Sequence, residues 1–116
     1  MVAIAIPLSA SESVRQSQAD VRGSDLGAAL GAARDARRVE PFAAGPRLQE
    51  ALVLEAQDRL AAAAAPARKA TRLEPEEWRA WLIRSRIEAE LGRERASATA
   101  YRRARALNPN SPLFSR

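Results

Sequence analysis

Prolines at positions 41, 75 and 109 stand 34 residues apart, and the residues around them recur at the same step. Ala104 falls on Ala70 and Ala36, and Leu107 on Leu73 and Val39. Ser97 falls on Ala63 and Ala29, and Tyr101 on Ala67 and Ala33. In the preceding segments Leu82 falls on Leu48 and Val14, and Ser85 on Ala51 and Ser17. A fixed period of this length, with two helix-period segments in each unit, is the pattern of stacked helical hairpins. The expectation is an all-α, right-handed α-solenoid of about three hairpins and six helices.

The physical logic lies in the second segment of each unit. Small residues let helix axes approach, a filler occupies the gap four residues on, and Pro stops the helix because it has no N–H to donate. Glu40, Glu74 and Asn108 precede the three prolines, where helical geometry is disfavoured. Helices are expected over Ser9–Val21, Asp25–Val39, Pro46 to about Ala56, Arg59–Leu73 and Arg93–Leu107, with a fifth opened by Glu74–Glu77 and joined to the sixth at Leu91-Gly92-Arg93. A turn is placed at Gly23-Ser24-Asp25, and a kink at Pro66. Glu76 and Glu77 put negative charge at the start of the fifth helix, where the dipole favours it.

These segments resemble the tetratricopeptide repeat, from about Ser9 to the end. The resemblance rests on the small, filler, alanine, apolar and proline positions of the second helices. The first helices depart from the family pattern. With Trp81 in the large apolar place, Arg84 and Glu88 would be buried. Sliding by one residue instead buries Val14, Leu48 and Leu82, with Ser17, Ala51 and Ser85 one turn on, and that register is preferred. The turn glycine survives only at Gly92; Gln57-Asp58 stands in its place one unit earlier. The units run about 9–41, 42–75 and 76–109 within a single domain, 9–116, that ends in the tail 110–116.

Composition fits a helical chain with a thin core: 27 alanines against 4% aromatics. With no Cys and no His, the chain lacks thiolate chemistry and the commonest general base and metal ligand. No nucleophile–base pair or phosphate loop is evident, so no enzymatic activity, catalytic residue, metal or cofactor is expected. The net charge is +5, and from Trp78 onward nine Arg oppose three Glu. The basic excess is therefore assigned to the last unit. Residues 1–8 begin an apolar run, MVAIAIPLSA, broken by Pro7 and too short to span a bilayer by itself. A strap on the first unit, the remnant of a transmembrane helix and a disordered start all fit it.

Two surfaces are candidates. In tetratricopeptide arrays the first helices line a concave groove, and the resemblance implies that Arg15, Arg22, Gln49, Leu52, Ile83, Arg86 and Glu90 face it. Val53 or Ile87 would replace Leu52 or Arg86 in the other register. The Lys and Asn that clamp peptide carboxylates in one class of these domains are missing there. The second surface is the basic face of Arg93, Arg95, Arg102, Arg103 and Arg105, suited to an anionic glycan or membrane surface. Nucleic acid is disfavoured, since no aromatics interleave with these arginines. Trp78 and Trp81 share a helix face; one is expected in the core and the other at a seam between units. The partner is expected to be a protein or peptide. A second copy could bind the uncovered last hairpin, unless Leu113 and Phe114 fold back as a small cap.

The phrases RLQEALVLEAQDRLAAAAAPARKATRLEP, EEWRAWLIRSRIEAELGR and AYRRARALNPNSPLF also resemble the soluble tails of bacterial, particularly actinobacterial, O-antigen ligase-like membrane proteins. That resemblance implies a membrane-adjacent scaffold with its glycan chemistry elsewhere. A free-standing cytoplasmic adaptor is the alternative.

Overall fold

The computed structural model describes the backbone of residues 7–114 and the side chains of residues 23–114. Five helices account for most of it: α1 (Pro7–Val39), α2 (Ala44–Ala56), α3 (Leu60–Leu73), α4 (Trp78–Glu90) and α5 (Glu94–Leu107). No strand occurs among the described residues. Each helix packs on the next in the chain, and α2 also touches α4.

The period governs both ends of every helix from α2 onward. Moving α2 and α3 along by 34 residues lands their limits on those of α4 and α5. The turns agree bond for bond. Gln57 N–H donates to Val53 O at 2.9 Å and Leu91 N–H to Ile87 O at 3.0 Å, while Arg59 and Arg93 N–H reach Leu54 and Glu88 O at 2.8 Å. Asp58 and Gly92, at matching places, both take left-handed backbone, with φ of 61° and 81°. Glu40, Glu74 and Asn108 close the preceding helices by donating to Ala36, Ala70 and Ala104 O.

The first unit departs from the expected hairpin. A turn at Gly23-Ser24-Asp25 would have divided it, but α1 is one helix of 33 residues, so the described residues form five helices instead of the expected six. A glycine costs a helix only about 1 kcal/mol, and none of the three residues removes a backbone donor as proline would. The last part of α1 then takes the place that α3 and α5 hold in later units. At Pro66, where a kink is expected, α3 continues as one helix from Leu60 to Leu73. Ala62, whose carbonyl loses its bond to the proline, is an exposed residue.

Alanine makes the core. Leu30, Ala51, Val53, Leu54, Ala63, Ala64, Ala67 and Ile87 form one buried cluster, and Ala44, Ala70 and Ala80 another. Ala51 and Ala63 are both wholly buried, at the positions chosen for close helix approach. Their counterparts Ser85 and Ser97 keep that contact by exchanging hydrogen bonds, each hydroxyl donating to the other's carbonyl, at 3.0 and 2.8 Å. Burial of Ala51 and Ser85 fits the preferred register, yet Glu88 is buried as well, only 1% exposed. Ala89, one turn after Ser85, is exposed.

Neither tryptophan enters the core; both are half-buried. Trp81 donates its indole N–H to Pro75 O at 2.7 Å. Trp78 and Tyr101 meet the edge of Phe114, with centroids 6.0 and 5.4 Å away. Phe114 thus folds back as expected, while Leu113 stays exposed. Glu77 caps α4 by accepting from Arg79 N–H, and one period later Ser111 Oγ accepts from Leu113 N–H in the same way. The apolar start, 1–6, lies outside the described residues. Among the described residues no helix is long and apolar enough to cross a membrane.

Candidate functional site

Three groups of charged side chains lie between or upon the helices. The first sits where α2 meets α4. Arg86 forks onto Glu55 with Nε–Oε2 2.8 Å and Nη2–Oε1 2.5 Å. The hydrogen bond from Arg86 holds the Glu55 carboxyl below its ordinary range. Glu90 is pushed the other way, chiefly by its hydrogen bond with the Glu55 carboxylate. Arg86, chosen as a groove residue, is therefore already engaged within the chain. Gln49 and Glu90 are exposed, whereas Leu52 and Ile83 are half-buried, Ile83 against the main core. The side chains of Arg15 and Arg22 lie outside the described residues.

The second group joins successive units through buried carboxylates. Glu50, 5% exposed, receives Arg34 Nε at 3.3 Å and Arg37 Nη1 at 2.7 Å from α1. Glu88 receives Arg68 as a fork, at 2.8 and 2.9 Å, with Arg84 and Arg93 at 3.7 and 3.8 Å. The Arg68 hydrogen bond holds the Glu88 carboxyl below its ordinary range against the opposing effect of burial. Arg34 and Arg68 are one period apart, and the next such position is Arg102. Arg102 reaches only Thr99 Oγ1, at 3.5 Å.

The third group is the basic face of α5. Arg95, Arg102, Arg103 and Arg105 are exposed and meet no carboxylate among the described residues. Arg103 lies 5.9 Å from the Trp81 ring centre and Arg84 5.4 Å. Trp81, Arg84, Arg95 and Thr99 border an open cleft of about 420 Å³. Arg93 leans back toward Glu88, so the face does not act as one set.

The expected basic excess in the last unit misses a denser arrangement. A second cleft, of about 340 Å³, is bordered by Arg34, Arg37, Arg47, Lys69, Arg72 and the single acid Glu50. Its cations come from three helices and do not cluster in the sequence. Among the described residues no group of three or more acids could hold a metal.

What the fold defines is a class: an all-α chain whose turns, caps and close contacts recur every 34 residues. Comparison with models of known families finds no match, and comparison with curated proteins finds none either.

Proposed function

We propose that this chain is a non-catalytic protein-interaction module, a stack of tetratricopeptide-type hairpins that takes its partner on α5. One observation carries this. Arg34 and Arg68 each pair with a carboxylate on the helix that follows, and Arg102, the next in step, meets no carboxylate among the described residues. Arg105 likewise repeats Arg37, so α5 presents the arginine pair that α1 uses to hold Glu50. The partner that fits is an acidic amphipathic helix, laid on α5 as α2 lies on α1. Charge complementarity supplies its register, and the small-residue face of α5 its close approach.

The probe is a helix-stabilised, labelled peptide with the sequence of α2, AGPRLQEALVLEA, titrated into the full chain and followed by fluorescence anisotropy. Saturable binding is expected, weakened about tenfold or more by Arg102→Ala with Arg105→Ala, and similarly by Gln in place of the peptide's central Glu. No saturation, or binding indifferent to both changes, would remove the proposal. Concentration-dependent self-association that both changes abolish would instead make the occupant a second copy. The likeness to O-antigen ligase-like tails would set this module beside a bacterial membrane; hydrophobic helices encoded upstream of Val2 are the observation that decides it.

A further inference from the structure

The cleft between α1, α2 and α3 gathers five cations around one carboxylate: Arg34, Arg37, Arg47, Lys69 and Arg72 with Glu50. Glu50 occupies two of them, through Arg34 and Arg37. Arg47, Lys69 and Arg72 make no hydrogen bond or ion pair among the described residues. The Nε of Arg47 is buried without a hydrogen-bond partner, as is that of Arg84 beside the other cleft, but Arg84 has Glu88 3.7 Å away and Arg47 has no carboxylate within ion-pair distance among the described residues. Buried donors are nearly always satisfied, so an orphaned guanidinium N–H beside a cleft marks the place of an acceptor the chain does not supply. Converging like charges also repel one another unless an anion sits among them.

The shape of the cleft follows from the repeat, and its charge does not. One period on, Trp81 stands for Arg47, Arg84 for Glu50, Ala96 for Ala62, Thr99 for Ala65 and Ala100 for Pro66, and these residues border the cleft of about 420 Å³ beside α5. There Ala106 replaces Arg72, and only Arg84 and Arg95 among its lining residues are cationic. Arg34 and Lys69 keep their charge one period on, as Arg68 and Arg103, while Arg37, Arg47 and Arg72 give way to Thr71, Trp81 and Ala106. The hairpin stack is therefore built without the cations at 47 and 72, which need a reason other than folding.

We infer that this cleft is a binding site for a phosphate group, borne by a small soluble molecule or by a lipid headgroup. Arginine forks match the oxygens of a phosphate in pairs, and Lys69 adds a point charge beside them. A dianion would meet Arg47 Nε and leave the Glu50 bridges intact. Pro66 and Ala65 give the cleft an apolar wall against which a carbon skeleton can lie. The site is separate from the face of α5, and the substitutions made in the cleft touch none of the residues of that face.

The test uses the full chain with inorganic phosphate and pyrophosphate in one arm. The other arm compares phosphatidylcholine vesicles with and without phosphatidic acid. Calorimetry at physiological ionic strength is expected to show saturable pyrophosphate binding, with a shift of the Arg47 Nε–H resonance. Arg47→Gln, Lys69→Gln and Arg72→Gln together should weaken it at least about tenfold. Removing equal charge from the last unit, by Arg95→Gln, Arg103→Gln and Arg105→Gln, should change it less than about twofold. Should the triple cleft variant fail to fold, Lys69→Gln alone, which removes no hydrogen bond or ion pair among the described residues, reads the same loss in smaller measure. Binding of the soluble probes assigns a free phosphate compound. Cleft-dependent binding confined to phosphatidic acid vesicles assigns a headgroup. Absence of binding in both arms, or equal losses in the two triple variants, overturns the inference.

Discussion

Glu88 stands one period beyond Leu54, so a buried carboxylate and a buried leucine fill the same place in consecutive units. The carboxylate is tolerated because Arg68 forks onto it and Arg84 and Arg93 stand close by. Removing one partner of a buried pair costs far more than replacing the acid with an apolar residue of suitable shape. Arg68→Ala should therefore destabilise the fold by about 3 kcal/mol in urea unfolding, and Glu88→Leu by less than about 1 kcal/mol, since Arg68 can turn to water. The pH dependence has a definite sign. The folded pKa of Glu88 lies below its ordinary 4.5, so its contribution is full above that value and is lost as pH falls through the lower, folded value. Glu88→Leu should flatten the acid limb of the stability curve; an unchanged limb would show that the Arg68 pair does not govern it. This network was not legible in the sequence. Its acids do not recur: Glu50 matches Arg84, and Glu88 matches Leu54, so no periodic signal marked either as buried. Burial of Glu88 even counted against a register, because the arginine that offsets it lies 20 residues away on another helix.

Helix ends were the most legible elements, because each depends on a few local residues. Proline after Glu or Asn stops a helix wherever it stands, and the limits of α2 to α5 fall within about two residues of those expected. The turn between paired helices needs one left-handed residue, which Gly92 supplies freely and Asp58 less readily. A Cβ at Gly92 would meet nothing within 4 Å, so substitution there is penalised by the backbone alone. Gly92→Ala should cost about 1 kcal/mol, and Gly92→Asp less than half of that, as the Asp58 turn implies. Equal losses in thermal or urea unfolding would contradict a shared turn geometry. The division of α1 was misjudged for the converse reason. Gly23-Ser24-Asp25 resembles a turn in composition, but it lacks proline, and Gly23 does not adopt positive φ. Composition alone did not distinguish a weak helix from a broken one.

At the scale of the molecule, two hairpins and the end of α1 succeed one another along a body of 56 × 38 × 24 Å. Alanine at matching places allows this, and the period made those alanines visible before any coordinates. Charge placement at this scale was visible only in part. Nine arginines follow Trp78 and do mark α5, but the densest cationic cleft is assembled from α1, α2 and α3. Gly27, Ala61 and Arg95 are exposed at one place in three successive units, and the chain has no cysteine to interfere with labelling. Pairwise Cys substitution there, with spin labels and distance measurement by electron paramagnetic resonance, tests the stacking directly. Equal units predict matching 27–61 and 61–95 distances, within about 3 Å, and a 27–95 distance approaching their sum. Unequal neighbouring distances, or a 27–95 distance no longer than either, would contradict it.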